Sequence, residues 1–132
     1  MRIKGRIISK GTAEGEAILT KEAITFLGGV DPRTGTITEK GHELEGKSIA
    51  GKILVFPGGK GSTVGSYVIY QMKKNGTAPK GMIALHAEQV VAAGAIISDL
   101  PMLDSLEKNP FEFLKNGMRI TINADKGYVN YD

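Results

Sequence analysis

The chain opens on an alternation. In RIKGRIISKG, residues 2–11, charged and apolar side chains take turns, which predicts a strand ending at Gly11. EGEAILT, residues 14–20, repeats that period and predicts a second strand. The period is lost over residues 25–38, where Gly28-Gly29 and Asp31-Pro32-Arg33-Thr34-Gly35 carry the residues that turns require. KSIAGKILVF, residues 47–56, ends in a near-continuous apolar run, as expected of a strand covered on both faces.

A helical period then takes over. Val64, Val68, Ile69 and Met72 recur at helical spacing within 63–74, and Asn75-Gly76 supplies a stop. GMIALH, residues 81–86, reads as a strand, AEQVVAAG as a short helix and AIISDLP, residues 95–101, as a strand with a turn. The segment 104–117 is turn-rich, with one helical turn over 110–115. Residues 118–131 form a closing hairpin that turns at Ala124 to Gly127. With no repeat, linker or low-complexity tract, the expectation is one domain over 1–132, of mixed α/β class, strand-rich with two main helices.

Composition narrows the function. At 132 residues and 41% hydrophobic, the chain is long enough for one real core. It has no apolar run near the ~18 residues of a membrane helix and no signal-peptide core at its start, so the expectation is a cytoplasmic protein with no membrane partner. Net charge is +3, which suits an anionic ligand. Nucleic acid is disfavoured, because the 17 Lys and Arg are scattered and the aromatics are four Phe and four Tyr. Cysteine is absent, which excludes disulfides, a thiolate nucleophile and a self-contained iron–sulfur site. Of the two histidines, His42 reads as a loop-satisfying residue and His86 as a core residue at a strand end.

The segment between the apolar strand and the first helix, Pro57-Gly58-Gly59-Lys60-Gly61-Ser62, carries the candidate chemistry. It is not a P-loop, because Gly61 follows Lys60 where Ser or Thr is required. It also lacks the acidic partner of a dinucleotide fingerprint. A strand–glycine loop–helix junction nevertheless presents free backbone amides at a helix N-terminus. Ser62 falls where an N-cap belongs, and one reading is a cap alone, worth roughly 1 kcal/mol. The other is a ligand loop: capping does not need three glycines, whereas close backbone approach to an anion does. Lys60 and the helix dipole both favour a negative oxygen there.

Three motifs taken together resemble a known family. They are Gly28-Gly29-Val30-Asp31-Pro32 with Thr34-Gly35; His42 before Gly46-Lys47-Ser48; and Lys60-Gly61-Ser62 with Gly65-Ser66. The chain resembles the small-subunit, or swivel-domain, module of the aconitase X family over nearly its whole length. PGGKGSTVGSY is most similar to the archaeal branch, which acts on phosphomevalonate. Relatives acting on hydroxyproline-type substrates more often read Arg-Gly-Ser-Cys-Thr-Gly-Ser. Here Lys60 replaces the arginine and Thr63-Val64 the Cys-Thr pair.

The resemblance implies a swivelling β/β/α fold, a compact barrel-like sheet with flanking helices. It implies a two-chain hydro-lyase that dehydrates (R)-5-phosphomevalonate to trans-anhydromevalonate 5-phosphate in an archaeal mevalonate route to isoprenoids. A large subunit would hold a [4Fe–4S] cluster whose open iron acts as a Lewis acid on the departing hydroxyl. By match to the family motif, Ser62 is the base that removes the proton alpha to the carboxylate. Lys60, Gly61, Gly29, Asp31 and Thr34 are implied to line the substrate cavity. For Asp31 a turn-starting cap before Pro32 stays open beside that role. Two other functions stay open: a hydroxyproline-type dehydratase subunit, and a non-catalytic module that binds an anion or a partner protein. The two glycine-rich loops, 28–35 and 57–62, are expected to meet at one edge of the sheet.

Overall fold

The structure is a computed structural model describing residues 1–132. The first half runs β1 (Arg2–Lys4), β2 (Arg6–Ser9), β3 (Thr12–Leu19), β4 (Ile24–Thr25), α1 (Phe26–Gly29), β5 (Val30–Asp31), β6 (Thr36–Ile37), β7 (Ile53–Phe56) and β8 (Gly59–Lys60). The second half runs α2 (Gly65–Asn75), β9 (Gly81–Ala84), α3 (Gln89–Ile97), β10 (Met102–Asp104), α4 (Pro110–Phe113), β11 (Arg119–Asn123) and β12 (Tyr128–Asn130).

Eight strands form one sheet in the order β1-β12-β11-β3-β7-β9-β10-β2. Its two edge strands are neighbours in sequence, separated only by Gly5. The opening alternation is therefore two strands rather than one. β1 pairs antiparallel with β12 and β2 antiparallel with β10, so the bend at Gly5 closes the sheet into a barrel. A side chain at position 5 would press on the carbonyl of Asp104 and on Leu106, which fixes where the bend falls.

β7 shows how the two faces are used. Its register alternates between two cores. Ile53 and Val55 point into the barrel with Ile3, Ile83, Leu103, Ile120, Ile122 and Val129. Leu54 and Phe56 point outward, with Met82 and Met102, under Val68, Ile69 and Met72 of α2 and Val91 and Ala95 of α3. All four β7 residues are fully buried. Each such side chain contributes roughly 1.5–3 kcal/mol of transfer free energy. This is the swivelling β/β/α architecture, with α2 and α3 as its outer layer.

Local chemistry explains where the elements depart from expectation. The segment 95–101 is not a strand: α3 continues to Ile97. Ser48 makes only an isolated bridge to Thr36, and its hydroxyl donates to the Thr34 carbonyl and accepts from the Ala50 amide. That local pairing keeps 47–52 out of the sheet, and β7 is only its apolar end. α2 stops where Asn75-Gly76 predicts, with Gly76 in the left-handed conformation.

Candidate active site

The catalytic-loop candidate begins where β7 leaves the barrel. The loop is tied to the segment after β9: the Leu85 amide donates to the Phe56 carbonyl and the His86 amide to the Pro57 carbonyl. β8 then pairs in parallel with β4, matching Ile24 with Gly59 and Thr25 with Lys60. The backbone amide of Gly59 donates to Glu88 Oε1 at 3.1 Å. The same carboxylate caps α3, accepting from Val91 at 3.0 Å and Val90 at 2.9 Å. Gly59 lies so close to Glu88 that a Cβ would sit 2.7 Å from Oε1.

Ser62 stands at the far end of this loop, exposed. Its carbonyl accepts from the Gly65 amide at 3.0 Å, opening one tight turn ahead of α2. Its hydroxyl oxygen accepts from the Val64 amide at 3.1 Å. The hydroxyl proton has no acceptor within the chain, and the amides of Gly61, Ser62 and Thr63 have none either. α2 carries no acidic side chain in its first turn, so the positive end of its dipole is not neutralised locally. Amides, dipole and Lys60 together favour an anion or an ionised hydroxyl at this point. Gly61, at φ +91°, takes a conformation that other L residues avoid, and a Cβ there would lie 2.9 Å from Thr25 Cγ2.

The two glycine-rich loops meet in part. Gly61 packs on Thr25, Gly65 packs on Phe26 and Leu27, and Lys60 Nζ lies 3.3 Å from Glu39 Oε2. Glu39 in turn covers Gly29, whose carbonyl accepts from the Thr38 and Glu39 amides. Lys60, Gly61, Ser62 and Gly29 are thus brought to one patch.

Asp31 and Thr34 are not. The Pro32 carbonyl between them accepts from Asn75 Nδ2 and Thr77 Oγ1, at the C-terminal end of α2. An 11-residue helix puts that end about 16 Å from Ser62. Asp31 accepts from the Arg33 amide at 2.9 Å, the turn-capping arrangement, and that hydrogen bond holds its carboxyl below the usual range. Thr34 bonds to Thr36 within the same turn.

The histidines also separate. His42 is buried: Nδ1 accepts from the Leu44 amide at 3.0 Å, so Nε2 carries the proton and donates to the Ala23 carbonyl at 3.1 Å. That is a structural role. His86 is not a core residue; its side chain is 74% exposed and lies 3.9 Å from Asp104. Asp104 itself is fully buried, bound twice by Arg6 at 2.8 and 2.7 Å and once by the Ala87 amide at 2.8 Å. It anchors the segment that carries Glu88 beneath the loop.

Sequence reasoning missed Glu39, Glu88 and Asp104. Glu88, directly before the apolar run of α3, was legible as a cap; its second bond to Gly59 was not. No cavity encloses Ser62. The largest groove, about 430 Å³, is lined by Gly51, Lys73, Gly76 and Lys80. Val64 and Tyr67, which follow the serine, and Leu27, whose backbone packs on Gly65, are exposed, which leaves the start of α2 open and partly apolar.

Comparison with known proteins agrees with this arrangement. The family model of the aconitase X swivel domain matches residues 2–131. The phosphomevalonate dehydratase small subunit of Methanosarcina mazei is 57% identical over 98% of this chain and 90% of its own. That of Methanocella arvoryzae is 58% identical over 98% of both chains. The crystal structure of Thermococcus kodakaraensis aconitase X in its holo-form superposes with a TM-score of 0.94 at 54% identity, covering 100% of this chain and 98% of that one. The chain belongs to the aconitase X swivel-domain family.

Proposed function

We propose that this chain is the small subunit of a two-chain hydro-lyase. The complex removes water from (R)-5-phosphomevalonate to give trans-anhydromevalonate 5-phosphate, and this chain supplies the base. The observation that carries the reading is Ser62: an exposed hydroxyl at a strand-to-helix junction, its oxygen already receiving the Val64 amide and its proton unpaired.

Elimination requires a proton to leave the carbon alpha to the carboxylate while hydroxide leaves the beta carbon. A neutral serine hydroxyl cannot take that proton; it must first lose its own to solvent. Groups that stabilise the oxyanion make the alkoxide accessible, which then accepts the alpha proton and returns to the hydroxyl. The Val64 amide, the positive end of α2 and Lys60 all act in that direction. Lys60 and the free amides of Gly61 and Thr63 also suit a substrate carboxylate or phosphate.

The chain has no cysteine and no group of three or more His, Cys, Asp or Glu side chains placed to hold a metal. Its residues do not fit a [4Fe–4S] cluster, which in this reading belongs to the large subunit. The open surface around Ser62 supports the same division. Leu27, Val64 and Tyr67 form an apolar rim on which the large subunit seats, closing the site against water. Both chains work in the cytoplasm.

Reconstitution tests the reading. The purified chain mixed with its large subunit should form product from (R)-5-phosphomevalonate, and neither chain alone should do so. Turnover of a hydroxyproline-type substrate instead, or tight anion binding by the small chain with no turnover in the mixture, would replace this reading with one of its rivals.

A further inference from the structure

We propose that Glu39 is a positioning residue that holds the Lys60 ammonium in place for the reaction. The inference rests on the reading of the Ser62 loop as catalytic.

Glu39 lies outside both glycine-rich loops and outside the motifs that mark the family resemblance. Its backbone is fixed on the first loop, since its amide and that of Thr38 both donate to the Gly29 carbonyl, at 3.3 and 2.9 Å. Its side chain is aimed at the second loop. Oε2 lies 3.3 Å from Lys60 Nζ. Oε1 is buried with no hydrogen-bond donor, resting on Gly29, where a Cβ would be 3.2 Å away. A buried carboxylate oxygen without a donor is rare and costly. It leaves Lys60 as the only partner of the Glu39 carboxylate.

This asymmetry decides between two roles for the pair. In one, the substrate's anion displaces Glu39 from Lys60. That would leave a part-buried carboxylate, one oxygen of which is already buried without a donor, with no partner in the chain, a costly outcome for such a group. In the other, Lys60 keeps Glu39 and shares its remaining protons with the incoming anion. An ammonium has three N–H donors, and Glu39 takes one of them. The geometry favours sharing. Glu39 then converts a flexible four-carbon side chain, half exposed in this structure, into a fixed cation on the loop that carries Gly61 and Ser62. A side chain at position 29 would press on the same carboxylate, since its Cβ would lie 3.2 Å from Oε1 and 3.3 Å from Thr25 Cβ.

A double-mutant cycle in the reconstituted complex tests this. Lys60→Met should lower kcat/KM, and Glu39→Gln, which preserves shape, should lower it about 10–100-fold by releasing Lys60. In the Lys60→Met background, Glu39→Gln should cause no further loss, because nothing remains for it to hold. A merely structural glutamate would give additive losses and a fall in melting temperature in both backgrounds, and that result overturns the proposal. So does Glu39→Gln with unchanged kcat/KM. If Glu39→Gln fails to assemble, Gly29→Ala serves instead. It keeps every charge but pushes on Oε1, and it should show the same loss and the same dependence on Lys60. Ser62→Ala is run in parallel. If it stays fully active, the catalytic reading of the loop fails; if it is inactive while the cycle is additive, only the role of Glu39 fails.

Discussion

The hydroxyl oxygen of Ser62 accepts a hydrogen bond from the amide of Val64, 3.1 Å away. Ser62 is not the N-cap its place in the sequence suggests: α2 is capped at Val64, with no side-chain cap bond, and the Ser62 contact belongs to the tight turn ahead of the helix. The amide that closes this turn is the same donor that would stabilise a serine oxyanion, and the hydroxyl proton is left unpaired. The neighbouring hydroxyls have no such geometry. Ser66 Oγ donates to the Thr63 carbonyl, and Thr63 Oγ1 makes no hydrogen bond. Thr63→Ala and Ser66→Ala should each keep turnover within about threefold of the parent, well short of the loss of a catalytic base. Steady-state kinetics of the reconstituted complex checks this.

Glu88 joins two jobs in one carboxylate: it caps α3 and holds the Gly59 amide. Aspartate caps helices at least as well as glutamate, but its side chain is one methylene shorter and does not reach Gly59. Glu88→Asp should therefore keep the melting temperature of the isolated subunit within a few degrees. It should lower kcat about tenfold or more through a loosened loop. Equal kcat in the two proteins would show that the tether is not used.

Gly61 is constrained twice, by φ +91° and by Thr25. Gly61→Ala should destabilise the subunit by about 1–2 kcal/mol and reduce turnover more than that loss of folded protein explains. Adding Thr25→Ser, which removes Cγ2, should recover part of both. Thermal melts and kinetics on the single and double variants measure it.

Much of this was legible in the sequence, for physical reasons. The run Ile53 to Phe56 read as covered on both faces because each side chain does meet a core, one inside the barrel and one under the helices. Asn75-Gly76 marked the end of α2 because a left-handed residue is required there. The segment from Ala95 misled because Ile96 and Ile97 are β-branched and apolar, yet both are exposed. The helical stripe is carried by Val91, Gly94, Ala95 and Ser98, small residues with a weak signal. They are small because α2 crosses there: a Cβ on Gly94 would approach Ile69 Cδ1 to 2.6 Å. Asp31 and Thr34 sat in a motif beside Gly29, but a two-residue strand carries the chain away toward the other end of α2. Glu39, Glu88 and Asp104 act through contacts 17 to 98 residues apart in sequence, which no local pattern displays.

Asp104 should govern acid stability. Burial pushes its carboxyl up, but the hydrogen bonds from Arg6 and Ala87 outweigh burial and hold it below the ordinary range. A folded-state value below the unfolded one, near 3.9, gives stability that is present above that pH and is lost as pH falls through the folded value. Melting temperature should therefore drop steeply below about pH 4. Asp104→Asn should destabilise the subunit at neutral pH by on the order of 2 kcal/mol and flatten that drop. Asp31 and Glu43, also held low by hydrogen bonds, preserve part of the slope. Parallel slopes for the two proteins would contradict the assignment.

The most direct measurement is turnover of the reconstituted complex with Ser62→Ala, alongside the melting temperature of the same subunit. Loss of the turn hydrogen bond to the Val64 amide should cost about 0.5–1.5 kcal/mol, a few degrees in Tm. Loss of the base should cost about 10²–10⁴ in kcat, far more than any fraction unfolded by so small a change. A complex that assembles, melts a few degrees lower and is nearly inactive is the predicted result. A complex that melts lower and turns over at the parent rate would mean that Ser62 closes the turn ahead of α2 and does nothing more.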